Sequence, residues 1–433
     1  MSAEWIAVPS GKVLGTVHVT DQRVGLHAPG NRGMNNELTK REGIEVISFR
    51  QMAEEPFRIF FPVAVIWGII GVLLWPLYFM GLLPYYPIET HERLMAHGFF
   101  GGFLFGFLGT ALPRLCDASS FRMREVAILF SGYILVMLLH LTGVVFPGDL
   151  LYLVVLLLAA LFAGLNLMKG DDRVPPGFIM VPIAWICAVV ATFLRIIENR
   201  YDLDFFWINL IPLLSYQAFV LLPLLGVGVF FLPKVFGVPS LHNIPSFTDA
   251  SSLWYRKVGF AGGIALLIVC SFIIESAGWV RSGHILRLIC PAVFLYRELP
   301  GPLSKMKSNR SVQLIKIGIG YCLIGYLAII LYPNYRTALL HMVFAAGLVT
   351  ITLTVAMRVI YGHGGAGKRL MNRNRFQITM SVFILIAVLT RISGDFHQVL
   401  LITHYSYGSI FWAIGIGIWV WFVLPLVVYT EIE

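Results

Sequence analysis

Charge is scarce in this sequence. Only 13% of its 433 residues are Asp, Glu, Lys or Arg, against 58% hydrophobic residues and a mean hydropathy of +0.80. A water-soluble chain carries about 25% charged and about 45–50% apolar residues, so this composition leaves too little polar surface to face water. A cytosolic enzyme, a secreted disulfide scaffold and a disordered regulator are all excluded. Cysteine is sparse as well: the five, at 116, 187, 270, 290 and 322, form no C-x-x-C and no C-x-x-C-H. Neither a disulfide framework, nor a zinc ribbon, nor a covalently attached c-type haem is supported. Residues 1–55 lack any apolar run of even ten residues and lack the basic-then-apolar order of a signal peptide.

From Phe57 onward the chain is almost continuously apolar. Crossing the hydrocarbon takes about 20 such residues, and within lipid only helices or closed barrels satisfy their own backbone. The runs are too long and too free of alternation for barrel strands. They predict an all-α, polytopic membrane protein with helices at Ile59–Gly81, Leu94–Leu115, Glu125–Phe146, Asp149–Met168, Phe178–Ile197 and Trp207–Leu232. Six more are predicted at Val258–Gly278, Gly283–Tyr296, Val312–Tyr332, Arg336–Tyr361, Phe376–Ile392 and Ser406–Tyr429. The eighth is the shortest, broken by Cys290-Pro291 and burdened with Arg287. With both termini cytoplasmic, inner segments hold roughly 19 Lys and Arg and outer loops about 4, which is the expected bias. The inner set includes Arg122, Arg124, Lys169, Arg256, Lys257, Arg297 and Lys368. The net charge of +9 is then an orientation signal, and no nucleic acid partner is expected. Two regions follow: a polar cytoplasmic extension, 1–55, and a twelve-helix transmembrane domain, 56–433, whose partner is the lipid bilayer.

The histidines are unevenly placed. Of eleven, His18, His27, His242 and His363 fall on the cytoplasmic side. His91, His97, His140, His284, His341, His397 and His404 all fall in the outer half. At about 1.5 Å per residue, His97, His140 and His341 each sit about 5–10 Å inside the outer ends of their helices. Imidazole is the commonest ligand of haem iron and of copper, and an ionisable group inside a membrane is a functional candidate by default. A single histidine near a helix end is otherwise an interfacial hydrogen-bonding residue. The clustering of seven favours metal binding by some of them. Charges share the zone: Arg195 and Glu198 at i, i+3, Arg391 and Asp395 at i, i+4, with Glu275, Arg281, Arg287 and Arg336 at similar depth. Such spacings permit pairing on one helix face, and the same groups suit haem propionates or proton movement. Gly98, Gly102 and Gly106 line one face of the second helix, admitting either another helix or a flat macrocycle.

Absent motifs narrow the field. No G-x-x-x-x-G-K-[ST] phosphate loop occurs; G-H-G-G-A-G-K at 362–368 has the wrong spacing and follows no strand. No H-E-x-x-H occurs, because His91-Glu92 is followed by Arg93-Leu94-Met95. The adjacent His-His pair of a haem–copper oxidase's copper site is missing too.

Four segments in order carry a family resemblance. PFRIFFPVAVIWGIIGVLLWPLYFMG, HERLMAHGFFGGFLFGFLGTALPR, HMVFAAGLVTITLTVAMRVIYGHGGAGKR and LTRISGDFHQVL with YSYGSIFWAIGIGIWVWFVLPL resemble segments of the NnrS family of membrane proteins. The likeness covers essentially everything after residue 55. It implies a protein of the bacterial cytoplasmic (inner) membrane, with haem of b type and copper as cofactors and nitric oxide or a related diatomic as partner, in nitric oxide metabolism or tolerance. Position by position, His91 fits the leading histidine of the second-helix motif, and His341, Arg358 and His363 fit the third segment. The family's His-x-His-Glu pattern is broken here by Arg93, with His97 following later. His363 lies about 33 Å from His341 along one helix, so those two cannot serve one centre. The ligand candidates are His91, His97 and His341, with His140 next, and Arg358 and His363 as further cofactor contacts. Two other readings stay open: a transporter with an outer polar vestibule, and a bis-histidine haem electron-transfer protein. The electron donor is not legible.

Overall fold

The structure, a computed structural model, describes residues 44–238, 252–299, 309–364 and 375–431. His18, His27, His242, Lys368 and residues 1–43 of the extension lie outside the described residues. Among those described, eleven helices are long and apolar enough to cross a membrane. They are α1 (Phe57–Phe79), α2 (Ile88–Leu115), α3 (Met123–Leu141), α4 (Val145–Leu167), α5 (Pro176–Glu198), α6 (Phe205–Phe236) and α7 (Ser252–Ser276), and then α9 (Arg310–Leu331), α10 (Pro333–His363), α11 (Arg375–Phe396) and α12 (Gln398–Val428). Between α7 and α9 runs α8 (Val280–Glu298), a 19-residue helix that is long enough but too polar to count by composition. The expected twelve-helix order holds. The eighth helix is longer than its apolar run predicts, because Arg287 turns into the bundle and is fully buried against Glu275 of α7.

Helix α12 packs along both α11 and α1, which brings the end of the chain onto its beginning. Two three-residue strands complete that closure: Ile44–Val46 pairs antiparallel with Tyr429–Glu431. A short helix, Phe49–Glu54, follows the first strand, so part of the polar extension is folded against this terminal end.

The glycine stripe of α2 is a packing device. A Cβ on Gly102 would lie 2.5 Å from the Tyr133 hydroxyl and 2.7 Å from the Ala64 Cβ, and one on Gly106 would lie 2.9 Å from the Phe57 Cα. Helix α1 and Tyr133 of α3 occupy the face, leaving no room there for a macrocycle. Tyr133 uses the close approach to donate its hydroxyl to the Gly98 carbonyl at 2.5 Å.

A polar clasp holds the terminal end. Arg58 Nε donates to Glu55 at 2.6 Å, Arg114 Nη2 donates to the other carboxylate oxygen at 2.6 Å, and His363 Nδ1 lies 2.6 Å from that second oxygen. Arg58 Nη1 also donates to the Val427 and Tyr429 carbonyls at 2.6 and 2.8 Å, joining α1 to the chain's end. Burial alone would push the Glu55 carboxyl up, but hydrogen bonding and charge from His363, Arg58 and Arg114 overcome it and hold it down, at about 2.

Two predictions follow from this packing. Gly106→Ala meets backbone rather than a flexible side-chain tip, so it should destabilise the detergent-solubilised protein by about 1–3 kcal/mol, read as a lower thermal midpoint. Glu55 has a folded value below its unfolded one, so its stabilisation is complete above about pH 5 and disappears as pH falls toward about 2. The thermal midpoint of Glu55→Gln should therefore lie well below wild type at pH 7 and converge with it in acid; parallel profiles would refute the clasp.

Candidate functional site

At the opposite end of the bundle is a cavity of about 610 Å³, walled by α1, α2, α6, α10, α11 and α12. Two of the predicted ligands meet in it. His91 of α2 and His341 of α10 face each other with ring centroids 6.5 Å apart and planes inclined by 18°. Each ring is oriented through Nδ1: that of His91 lies 2.9 Å from the Gly71 carbonyl of α1, and that of His341 lies 2.9 Å from the Thr337 carbonyl. Anchoring Nδ1 as the donor leaves the opposite ring edge, with Nε2, for the cavity. Trp75 stands edge-on to His91 at 5.9 Å and to Tyr405 at 5.3 Å, and Phe100 meets Phe344 at 6.3 Å across the α2–α10 contact.

The backbone is irregular at this level. Helix α2 widens into a π-helical segment at Leu94–Phe100, α6 at Leu213–Ala218 and α10 at Met342–Leu348. In each helix a short α segment precedes the π segment and a longer one follows. π segments recur where side chains must be re-aimed at a site. Apolar periodicity carries no signal of them.

Arg391, Asp395, Arg336 and Glu275 line the cavity, and both pairs expected from spacing, Arg391–Asp395 and Arg195–Glu198, form. Arg391 Nη1 donates to Asp395 at 2.7 Å while its guanidinium lies 3.6 Å over the Tyr405 ring, and the Tyr405 hydroxyl donates to the same carboxylate at 2.5 Å. Glu275 accepts from Arg336 at 3.3 Å and from buried Arg287, whose Nη1 donates to Gln217 at 2.9 Å. Arg195 donates to Glu198 at 3.0 Å. Away from the cavity, His284 is buried on α8 beside this group, its Nδ1 2.9 Å from the Val280 carbonyl.

The other predicted ligands go elsewhere. His97 stacks on Tyr152 at 4.1 Å, and its Nε2 lies 2.9 Å from the Ser215 hydroxyl. His140 Nε2 lies 3.1 Å from Asp149, which also accepts from Arg93 at 3.1 and 3.3 Å. Both rings are buried, and Nδ1 of each has no hydrogen-bond partner among the described residues. They form a second polar group between α2, α3, α4 and α6. On a regular helix, six steps of about 100° would set His91 and His97 about 120° apart on α2; the π segment that holds His97 changes that angle, and the two rings point into different groups. His363 sits in the terminal clasp, at the far end of α10 from His341, and Arg358 lies on the same far half of that helix. No group of three or more His, Cys, Asp or Glu side chains converges on a metal position among the described residues.

Residues 51–430 match the NnrS protein family. The chain belongs to that family. None of the curated proteins compared with it matches. In this NnrS-family chain the facing histidines come from two of the segments that carry the family likeness, one on α2 and one on α10.

Asp149 supplies a test of the second polar group. It is the buried counter-charge of Arg93, so Asp149→Ala should cost about 3–5 kcal/mol. Glu89 also accepts from Arg93, at 2.9 Å, but its side chain is 59% exposed, so Glu89→Ala should cost under about 1 kcal/mol. Thermal unfolding of the two variants checks the contrast, and equal losses would contradict it.

Proposed function

We propose that this is a haem-binding integral membrane protein of nitric oxide metabolism or tolerance, in the bacterial inner membrane with both termini cytoplasmic, and that His91 and His341 hold the haem. The observation that carries the reading is the ring geometry. Two imidazoles on opposite sides of one iron, each at a metal–nitrogen distance of about 2 Å, keep their centroids about 6 Å apart. The 6.5 Å spacing, the small tilt and the two anchored Nδ1 atoms fit that requirement. The cavity between them has aromatic walls from Trp75, Phe100, Phe344 and Trp412, suited to a flat apolar macrocycle. The lack of C-x-x-C-H agrees with haem of b type, held without covalent bonds.

Copper does not fit in the same way. No three donors converge on it among the described residues, so the reading rests on haem alone.

Bound haem supplies an iron that exchanges single electrons and binds diatomic gases. The protein's part is to fix two imidazoles in one tautomer, to surround the site with rings that exclude water, and to place the Arg391–Asp395 and Arg336–Glu275 pairs at its rim. A second reading draws on the same facing histidines: if both were to hold the haem permanently, the chemistry it would supply is electron transfer.

The protein purified in detergent should show a Soret band and contain iron. His91→Ala combined with His341→Ala should abolish both while the thermal midpoint stays within a few degrees, and His97→Ala should leave the spectrum unchanged. A wild-type preparation with no Soret band would end the proposal.

A further inference from the structure

The two facing histidines are not held alike. His91 is fixed from a different helix, since both the Gly71 carbonyl on its Nδ1 and the Trp75 ring against its edge belong to α1. His341 is fixed only by its own helix, through the Thr337 carbonyl one turn earlier, and that contact is exposed at the cavity mouth. Among the described residues, no side chain of another helix hydrogen-bonds His341, and no ring other than His91 packs against it. The residue after His341 begins the π segment Met342–Leu348, where the backbone ladder departs from the regular helix.

We infer that His91 is the permanent ligand and His341 the displaceable one, so that a small uncharged diatomic binds on the α10 face of the cavity. The inference rests on the haem reading above and removes its conflict with gas binding, because a centre with two fixed axial ligands has no free position. The exchange is balanced. The bond from His341 Nε2 to iron breaks as the diatomic's bond to iron forms, one neutral donor replaces another, and no proton moves because Nδ1–H stays on the Thr337 carbonyl.

The test uses the full chain in detergent, with haem per chain and the dithionite-reduced spectrum recorded before and after carbon monoxide and nitric oxide. Wild type should be low-spin and bind carbon monoxide slowly. His341→Ala should keep most of its haem, turn high-spin and bind carbon monoxide on the order of tenfold faster. His91→Ala should lose haem affinity by more than on the order of tenfold, since removing only the outer support of a metal ligand already costs that much. His91→Gly with added imidazole guards against misfolding, because recovery of the low-spin spectrum shows an intact pocket. Equal haem loss in the two alanine variants, or loss confined to His341→Ala, would overturn the assignment while sparing the haem reading. A wild-type protein without haem would overturn both.

Discussion

Hydrocarbon offers no partner to a charge or an open backbone group, so each polar group that this chain carries to membrane depth must find one inside the protein. The buried ion pairs are the consequence. Arg287 turns inward onto Glu275 and Gln217, Arg93 onto Asp149, and Arg58 onto Glu55 and two C-terminal carbonyls. Arg93 with Asp149, Arg287 with Gln217, and Arg58 with the C-terminal carbonyls join segments distant in sequence, so the few charges help fix how the apolar helices are ordered around one another. Helix α8 shows the effect most clearly. Its composition alone would not hold it in a membrane, and its arginine is sheltered by neighbours on α6 and α7.

The same constraint distinguishes the two histidine groups. His97 and His140 spend Nε2 on Ser215 and Asp149, and although Nδ1 of each is unpaired among the described residues, both rings stand inside a tightly packed polar layer beside Tyr152. His91 and His341 spend only Nδ1 on backbone carbonyls and look across an aromatic-walled cavity. A ligand needs an unspent lone pair and open space beside it for the metal, and of the two pairs only His91 and His341 line the cavity. The π segments of α2, α6 and α10 rotate side chains just below this level, which is how long, otherwise regular helices present different residues to a packed interior and to a cavity.

Much of this was legible in the residues. The twelve-helix order follows from apolar run lengths and from the Lys and Arg bias. The i, i+4 spacing of Arg391 and Asp395 foretold their pairing, and the i, i+3 spacing of Arg195 and Glu198 did the same. The segments bearing the family likeness delivered His91 and His341. What failed to show was which histidines share a centre. Depth along a helix put His97, His140 and His341 in one layer, yet depth says nothing about azimuth, and His97 and His140 point into a different group from His341. The glycine stripe was similarly open between a helix and a macrocycle until α1 and Tyr133 were seen to fill it.

Sequence by itself therefore determined the all-helical membrane class, the order of the helices and the inventory of polar groups, because burial in lipid is a property of composition and length. Tertiary structure alone decided the partners: that His91 meets His341 at 6.5 Å, that His363 joins Glu55 at the other end, and that one facing histidine is braced by a neighbouring helix while the other is braced by its own. The reason is geometric. Contacts between helices depend on rotation about each axis and on local departures into π geometry, and neither is written in the apolar pattern that makes the helices form.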